Sequence, residues 1–517
     1  MSRMIRTALV VALFPAGPAA WAADATPEQA RTLESQIRGW LTEMAGPAIP
    51  LPERPVQITP DGDHYRVAMP IGIAGGETAT MTATARPVEG GKWSIEAIHF
   101  PVPAHFTFNL PQPPKEGQAT PGPTLPVTYT VNATSQTGQA LYDPTFASPT
   151  TITSGFEGFD MQASSTILQQ HTQVARSASS STIRPAGPGR VDVVSEGSLE
   201  GYTATSKAEG AEQIQIGTQR LRINGQLTGV SRDRAGPIIQ AMAKLVGSAM
   251  AATSAADDKT GPATPGKMDP QAAKALLLAL QDFASAFQLE ESAERLEVHY
   301  GDYGGTASQA RLGMGAKSDN GMLQAQMDLS VEGLALLDLP LGDMVELLPR
   351  RVAIRPVVSG VAVADLVRLI NNSSEGKDAA PADVAALFSH GGIVTGLESF
   401  TIDVAGTSFT GNTKILVQSP QQVSGTAQIT ASNFDALMQR VSSMPQLAQA
   451  MPVFVLAKGI GRTVDNRLVW DVSYANGKTL VNNVDLNALA AGGQAQPQAP
   501  RQQPRPQPAR PGPANPR

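Results

Sequence analysis

From Gln57 to Val484 this chain is written mostly as short runs in which polar and apolar residues alternate. A period of two places successive side chains on opposite faces of a strand, so the pattern dictates sheet. The stretches 80–84, 127–131, 191–194, 202–205 and 214–216 carry it, with 165–168 and 221–223 as further short runs. Runs spaced by about ten residues, with Gly, Pro, Asn and Asp between them, predict short strands in a large antiparallel sheet or sandwich. Ahead of them, 56–58, 64–69, 78–85 and 93–100 read as a meander.

The later half repeats this style at 296–300, 307–314, 322–331, 352–358, 399–404, 414–417 and 422–430. Asn476-Gly477 between 467–474 and 478–484 is a strong hairpin signal, because a two-residue type I′ turn needs two positive φ angles. Charged residues make up only 16% of the chain while Gly and Pro number 48 and 41, which favours turns and strands over long surface helices.

Helices are expected where the period changes to 3.6. Thr26-Pro27-Glu28-Gln29 supplies an N-cap, a proline at the first helical position and a glutamine able to close a capping box. Ala30, Leu33, Ile37, Leu41 and Met44 then mark an amphipathic helix over 27–45. A helical insert is expected over 233–290, as one helix at 237–250 and a second from Asp269-Pro270 through Phe283 and Phe287. Shorter helices are expected at 361–371, 382–388, 434–441 and 445–458.

The fold class is therefore β-rich α+β: large antiparallel, curved sheet with helical inserts. Its modules are a helix plus meander (23–110), a first β-rich half (111–232) opening on a Pro/Gly-rich linker at 111–126, the insert (233–290) and a second β-rich half (291–490). Residues 491–517 reduce almost to Gln, Pro, Ala, Gly and Arg, a composition that cannot bury enough apolar surface to fold and predicts a disordered, polyproline-leaning tail.

The first residues read as an export leader over 1–22. Arg3 and Arg6 precede an apolar run at 7–14, and Ala20-Trp21-Ala22 forms an A-x-A signal before Ala23. That run is far short of the roughly 20 residues a spanning helix needs, so no transmembrane segment is expected once the leader is removed, and the address is periplasmic. The chain has no cysteine, which excludes disulfides and thiolate chemistry. With a formal charge of −6, nucleic-acid binding is not expected.

No catalytic constellation emerges, and neither a metal nor a cofactor is expected. His64, His99, His105, His171, His299 and His390 form no H-x-H or H-E-x-x-H pair, and Pro101 and Pro103 keep His99 and His105 off a shared helix face. There is no G-x-S-x-G elbow. Letter matches to S-x-x-K, S-D-N and K-T-G at 374–377, 318–320 and 259–261 run in reverse chain order. Gly301 to Gly305 reads as a turn rather than a phosphate loop, and Glu290-Glu291 as solvated charges in a polar connection.

The runs GDHYRVAMP (62–70), GKWSIEAIHFP (91–101), EGLALLDLP (332–340) and GRTVDNRLVWDVSYANGKTLVNNVDL (461–486) are similar to segments of a secreted bacterial family of unknown function. The chain resembles the YdgA and AsmA-like periplasmic proteins. That resemblance implies an elongated β-rich body with an apolar groove linked to lipid and envelope homeostasis, and carries over no catalytic residue. The function expected is non-enzymatic: burial of an apolar, lipid-like ligand, with the 237–290 helices near the groove mouth. The alternative is an envelope scaffold that recruits a protein partner by strand addition.

Overall fold

The helix at the start forms because Ala30, Leu33 and Ile37 fall on one face and are buried there. In the computed structural model this is α1 (Pro27–Ala45), and the residues described are 24–45, 55–71, 79–111, 124–233, 284–337, 342–374 and 380–488. The expected leader with Ala20, Ala22 and Ala23, most of the expected insert and the 491–517 tail lie outside them. Thr26 caps α1 through its hydroxyl, which accepts from the Gln29 amide at 3.3 Å. The expected capping box is modified. The buried Tyr65 hydroxyl sits between its two halves, accepting from the Thr26 amide at 2.9 Å and donating to Gln29 Oε1.

All described strands join one antiparallel sheet that does not close. It opens as a meander of β1 (Gln57–Asp61), β2 (His64–Ile71), β3 (Ala79–Val88) and β4 (Lys92–His99). β5 (Ala104–Pro111) and β6 (Thr124–Asn132) pair with each other across the expected linker, so 124–126 are strand. β4 continues onto β7 (Ser135–Asp143), and β8 (Ser148–Ser164) carries β7 on its first half and β6 on its second.

The body then runs through β9 (Leu168–Gly187), β10 (Arg190–Ala208), β11 (Ile214–Ser231), β12 (Ala286–Tyr300), β13 (Tyr303–Asp319) and β14 (Met322–Glu332), each paired with the next. β15 (Ala335–Leu337) returns onto β13, and β14 pairs with β16 (Arg351–Ala362). After α2 (Val363–Ser374) and α3 (Pro381–Ala386) come β17 (Ile393–Val404), β18 (Thr407–Ser419) and β19 (Gln422–Ser432). α4 (Phe434–Ser442) and α5 (Met451–Ile460) precede β20 (Arg462–Val464) and β21 (Arg467–Ala475), which pairs with β19. β22 (Lys478–Val481) and β23 (Val484–Asp485) finish it. Asn476 and Gly477 have φ of 52° and 75°, as the expected hairpin turn requires.

Three expectations are corrected. The short strands expected at about ten-residue spacing are in fact 15 to 20 residues long from β8 to β13, because several breaks between runs are not turns. Residues 165–167 are a turn rather than a strand, since the Ser165 hydroxyl accepts from the amides of Ile167 and Leu168. Phe287 lies in β12, not on a helix, because it pairs with Leu227 and Ala316.

What stood in place of turns is a crease. Gly158 in β8, Gly201 in β10 and Arg295 in β12 have φ of 58°, 60° and 52°, and Gly333, just after β14, has 63°. The pairing registers on either side of these positions match, so no strand gains or loses a residue there. The apolar positions nevertheless change parity: Phe287, Leu289 and Ala293 before Arg295, Leu296, Val298 and Tyr300 after it. A Cβ on Gly201 would stand 2.9 Å from that of Ala175, so Gly201→Ala should cost about 1–3 kcal/mol in urea unfolding. Arg295 holds the same conformation without being glycine, at a cost of about 1–2 kcal/mol. Arg295→Gly should therefore raise stability by about 1 kcal/mol in the same assay.

Two clusters of buried residues hold the ends of the sheet. One joins Leu33 and Ile37 of α1 to Val56, Tyr65, Val67, Trp93 and Tyr142. The other joins Phe434, Leu437 and Val441 of α4 and Phe454 of α5 to Ala431, Leu468 and Trp470.

Candidate ligand-binding face

Residues paired directly across antiparallel strands share a face, so register defines what the sheet presents. Leu199, Leu221, Ala293, Ala310, Val331 and Val352 stand opposite one another on six successive strands. Two residues along, Ile223, Glu291, Leu312, Leu329, Ile354 and Phe400 form the next row. A third row carries Leu289, Met314 and Met327, and a fourth runs from Leu227 and Phe287 through Ala316, Ala325 and Val358.

These rows are continuous with both end clusters. Ile95, packed against the α1 cluster, pairs through Ala140 to Ile152, Ser181, Ser195, Gly225 and Leu289. At the other end Val352 pairs through Ile402, Phe409 and Ala431 to Leu468, inside the α4–α5 cluster. α1 therefore covers one end of a face whose other end is covered by α4 and α5.

Between these covers the floor side chains are half-buried or exposed. Phe287 keeps 42% of its surface open and Ile223 and Val358 keep 36%. A shallow depression of about 440 Å³ lies over Leu221, Ala310, Leu312, Leu329, Val331 and Ile354. A second of about 570 Å³ borders Phe287, Ala316, Ala325 and Val358. Among the described residues, on the Phe287 side of the crease, the only charged residue that register puts on this face from β8 to β21 is Glu291. On β9 and β10 the floor turns to hydroxyls, with Ser154 on Ser179 at 2.7 Å and Ser181 on Ser195 at 3.0 Å.

The opposite face is a lattice of paired charges. Arg220 meets Glu200 at 3.0 Å, Arg311 meets Glu290 at 3.1 Å, Arg351 meets Glu332 at 3.2 Å and Arg355 meets Asp328 at 2.7 Å. Hydrogen bonding to Asp328 holds the Arg355 guanidinium charged even more firmly than usual. Such exposed pairs contribute little stability, but they keep this face wet. Glu290 and Glu291, expected together in a polar connection, are neighbours in β12 and point to opposite faces.

The histidines do not converge. His64 stands beside Asp63, His171 beside Asp160 and His390 beside Asp365. Among the described residues no group of three His, Asp or Glu could hold a metal ion, and no helix is long and apolar enough to cross a membrane. The 2.7 Å hydrogen bond from His171, against a smaller opposing effect of burial, holds the Asp160 carboxyl below its ordinary value. A lowered carboxyl contributes stability above its unfolded pKa of about 3.9, and that contribution is lost as the pH falls through the lower folded value. Melting temperature should therefore drop more steeply below pH 4 in the natural chain than in His171→Phe.

Sequence pattern had marked the strands but not this face, because the crease changes the apolar parity within single strands. The signal available was the uncharged alternate positions of each run, legible only once register is known. Comparison of the chain with protein-family models, with curated proteins and with solved structures returns no match.

Proposed function

We propose that this chain is an exported, non-enzymatic protein that binds an amphipathic, lipid-like molecule on the open floor between its two helical covers. The observation that carries this reading is the face, charged only at Glu291, that runs from the α1 cluster to the α4–α5 cluster and whose centre carries no cover among the described residues. Exposed apolar surface of this extent marks an interaction site. Each floor side chain passing from exposed to buried contributes up to about 1.5–3 kcal/mol, with no proton transfer required.

The floor also sets an orientation. From β11 to β16 there are four strand steps, or about 19 Å, of apolar surface on which an acyl chain could lie across the strands. The hydroxyls of Ser177, Ser179, Ser181 and Ser195 beside it suit an uncharged polar head. Glu291 disfavours a carboxylate or phosphate at its own position. The similarity to YdgA and AsmA-like proteins and the leader-like first residues agree with such a role in the periplasm.

The test is extraction of the purified full chain into organic solvent, mass spectrometry of the extract, and titration with a fluorescent acyl probe. An amphiphile with at least one long acyl chain and saturable probe binding are expected. An empty extract together with no probe binding would overturn the proposal. A second reading, recruitment of a protein by strand addition, draws on β5, whose outer edge carries no strand among the described residues. One abundant protein adduct after cross-linking in cells, independent of lipid, favours it instead.

A further inference from the structure

On the far side of the crease a second apolar set ends at the tip of the β12–β13 hairpin, and this tip is not part of the floor described above. Tyr300 stands directly opposite Tyr303, and Ile214 directly opposite Tyr300. Two residues along, Ile216 pairs with Val298. Register puts all five on one face, and the tyrosines are 54% and 50% exposed. Two apolar β-branched residues on β11 would not be left open beside paired tyrosines if packing within the chain were their only role, and tyrosine is enriched where one protein meets another.

The rim of this patch is acidic. Glu209 and Glu212 lie in the exposed turn leading into β11, and Asp302 lies in the turn between Tyr300 and Tyr303. Glu212 reaches the tip itself, since a Cβ on Gly301 would stand 3.0 Å from its carboxylate oxygen. The nearby cation, Lys207, is adjacent in β10 to Ser206, which pairs with Ile214, so it belongs to the opposite face. Aromatic rings with carboxylates beside them select a segment that is basic and apolar and has no carboxylate of its own.

This chain contains such a segment. Residues 494–517 hold four arginines, eight prolines and no acid. Prolines stack on aromatic side chains at little entropic cost, and arginines between them meet carboxylates. The distance is compatible. Ala488 lies beside Gly477, at the Phe287 end of the sheet, through the hydrogen bond from Asn487 to Gly477. Seven strand steps and the length of β12 place Tyr300 roughly 55 Å away in the sheet, a span that about 18 residues in extended polyproline geometry cover, so it is 506–517, with Arg510, Arg517 and five of the prolines, that can reach the tip.

We infer that the Tyr300–Tyr303 tip is a docking surface for the distal part, 506–517, of the Arg/Pro-rich segment of the same chain. The inference is independent of ligand binding on the floor, and either can fail alone. Photo-cross-linking in the full-length chain tests it, with Tyr303→p-benzoylphenylalanine as the probe and mass spectrometry to map the adduct. The expected product is monomeric, with the cross-link inside 506–517. Its yield should fall at least fivefold when Arg501, Arg505, Arg510 and Arg517 are changed to glutamine, or in about 0.5 M salt, which screens exposed charges. Glu212→Gln with Asp302→Asn, on an unchanged melting curve, should lower the yield as well. Adducts only to lipid, to another protein or to a second copy, or a yield indifferent to the arginines, overturn it.

Discussion

Replacing Trp470 with alanine is expected to cost about 3–5 kcal/mol, the range for deleting a buried tryptophan. The indole meets the Phe434 ring edge-on at 5.6 Å, and its Nε1 donates to the Ala457 carbonyl at 2.8 Å. One side chain thereby ties β21 to both α4 and α5. Loss of the ring opens a void and leaves the Ala457 carbonyl at the end of α5 without that donor. The two buried clusters share no residue, so the damage should be regional. Hydrogen exchange should show lost protection over 405–486 with 27–98 close to unchanged. Equal loss at both ends would mean that the whole sheet unfolds as one cooperative unit.

Leu329→Asp should weaken acyl-probe binding at least tenfold, equivalent to about 1.4 kcal/mol. Leu329 lies at the centre of the open floor between Leu312 and Ile354, and a carboxylate there would have to be desolvated under any apolar ligand. Because Leu329 is only half-buried, the fold should tolerate the change. The informative control is its neighbour. Ser330 pairs with Arg311 and Ala353 on the charged face, so Ser330→Asp adds the same charge one residue away and should leave probe binding unaltered. If both variants bind the probe like the natural chain, the floor is not the binding surface.

Much of the architecture was legible in residue order. Pro27 to Ala45, the Asn476-Gly477 hairpin and the helices following Ala362 and Asn433 stand where capping, turn and periodicity signals put them. Strand length was not legible. Gly201 reads as a break between 191–194 and 202–205, yet in the sheet it is a left-handed residue inside one continuous strand. A glycine's freedom at positive φ serves a turn and a mid-strand crease equally well, and only the neighbouring strands decide between them.

The same division holds for the candidate site. Alternation alone determined that the chain would build antiparallel sheet with one face drier than the other, because strand geometry is local. It could not say which of Glu290 and Glu291 would face charge and which would face Leu312, since one step of register exchanges the two. Nor could it place α1 and α5 over the two ends of a single face, with the strands between them open among the described residues. That arrangement depends on a succession of pairings that carries one face from Ile95 to Leu468, each register setting the next, and only the assembled sheet brings those ends onto one face.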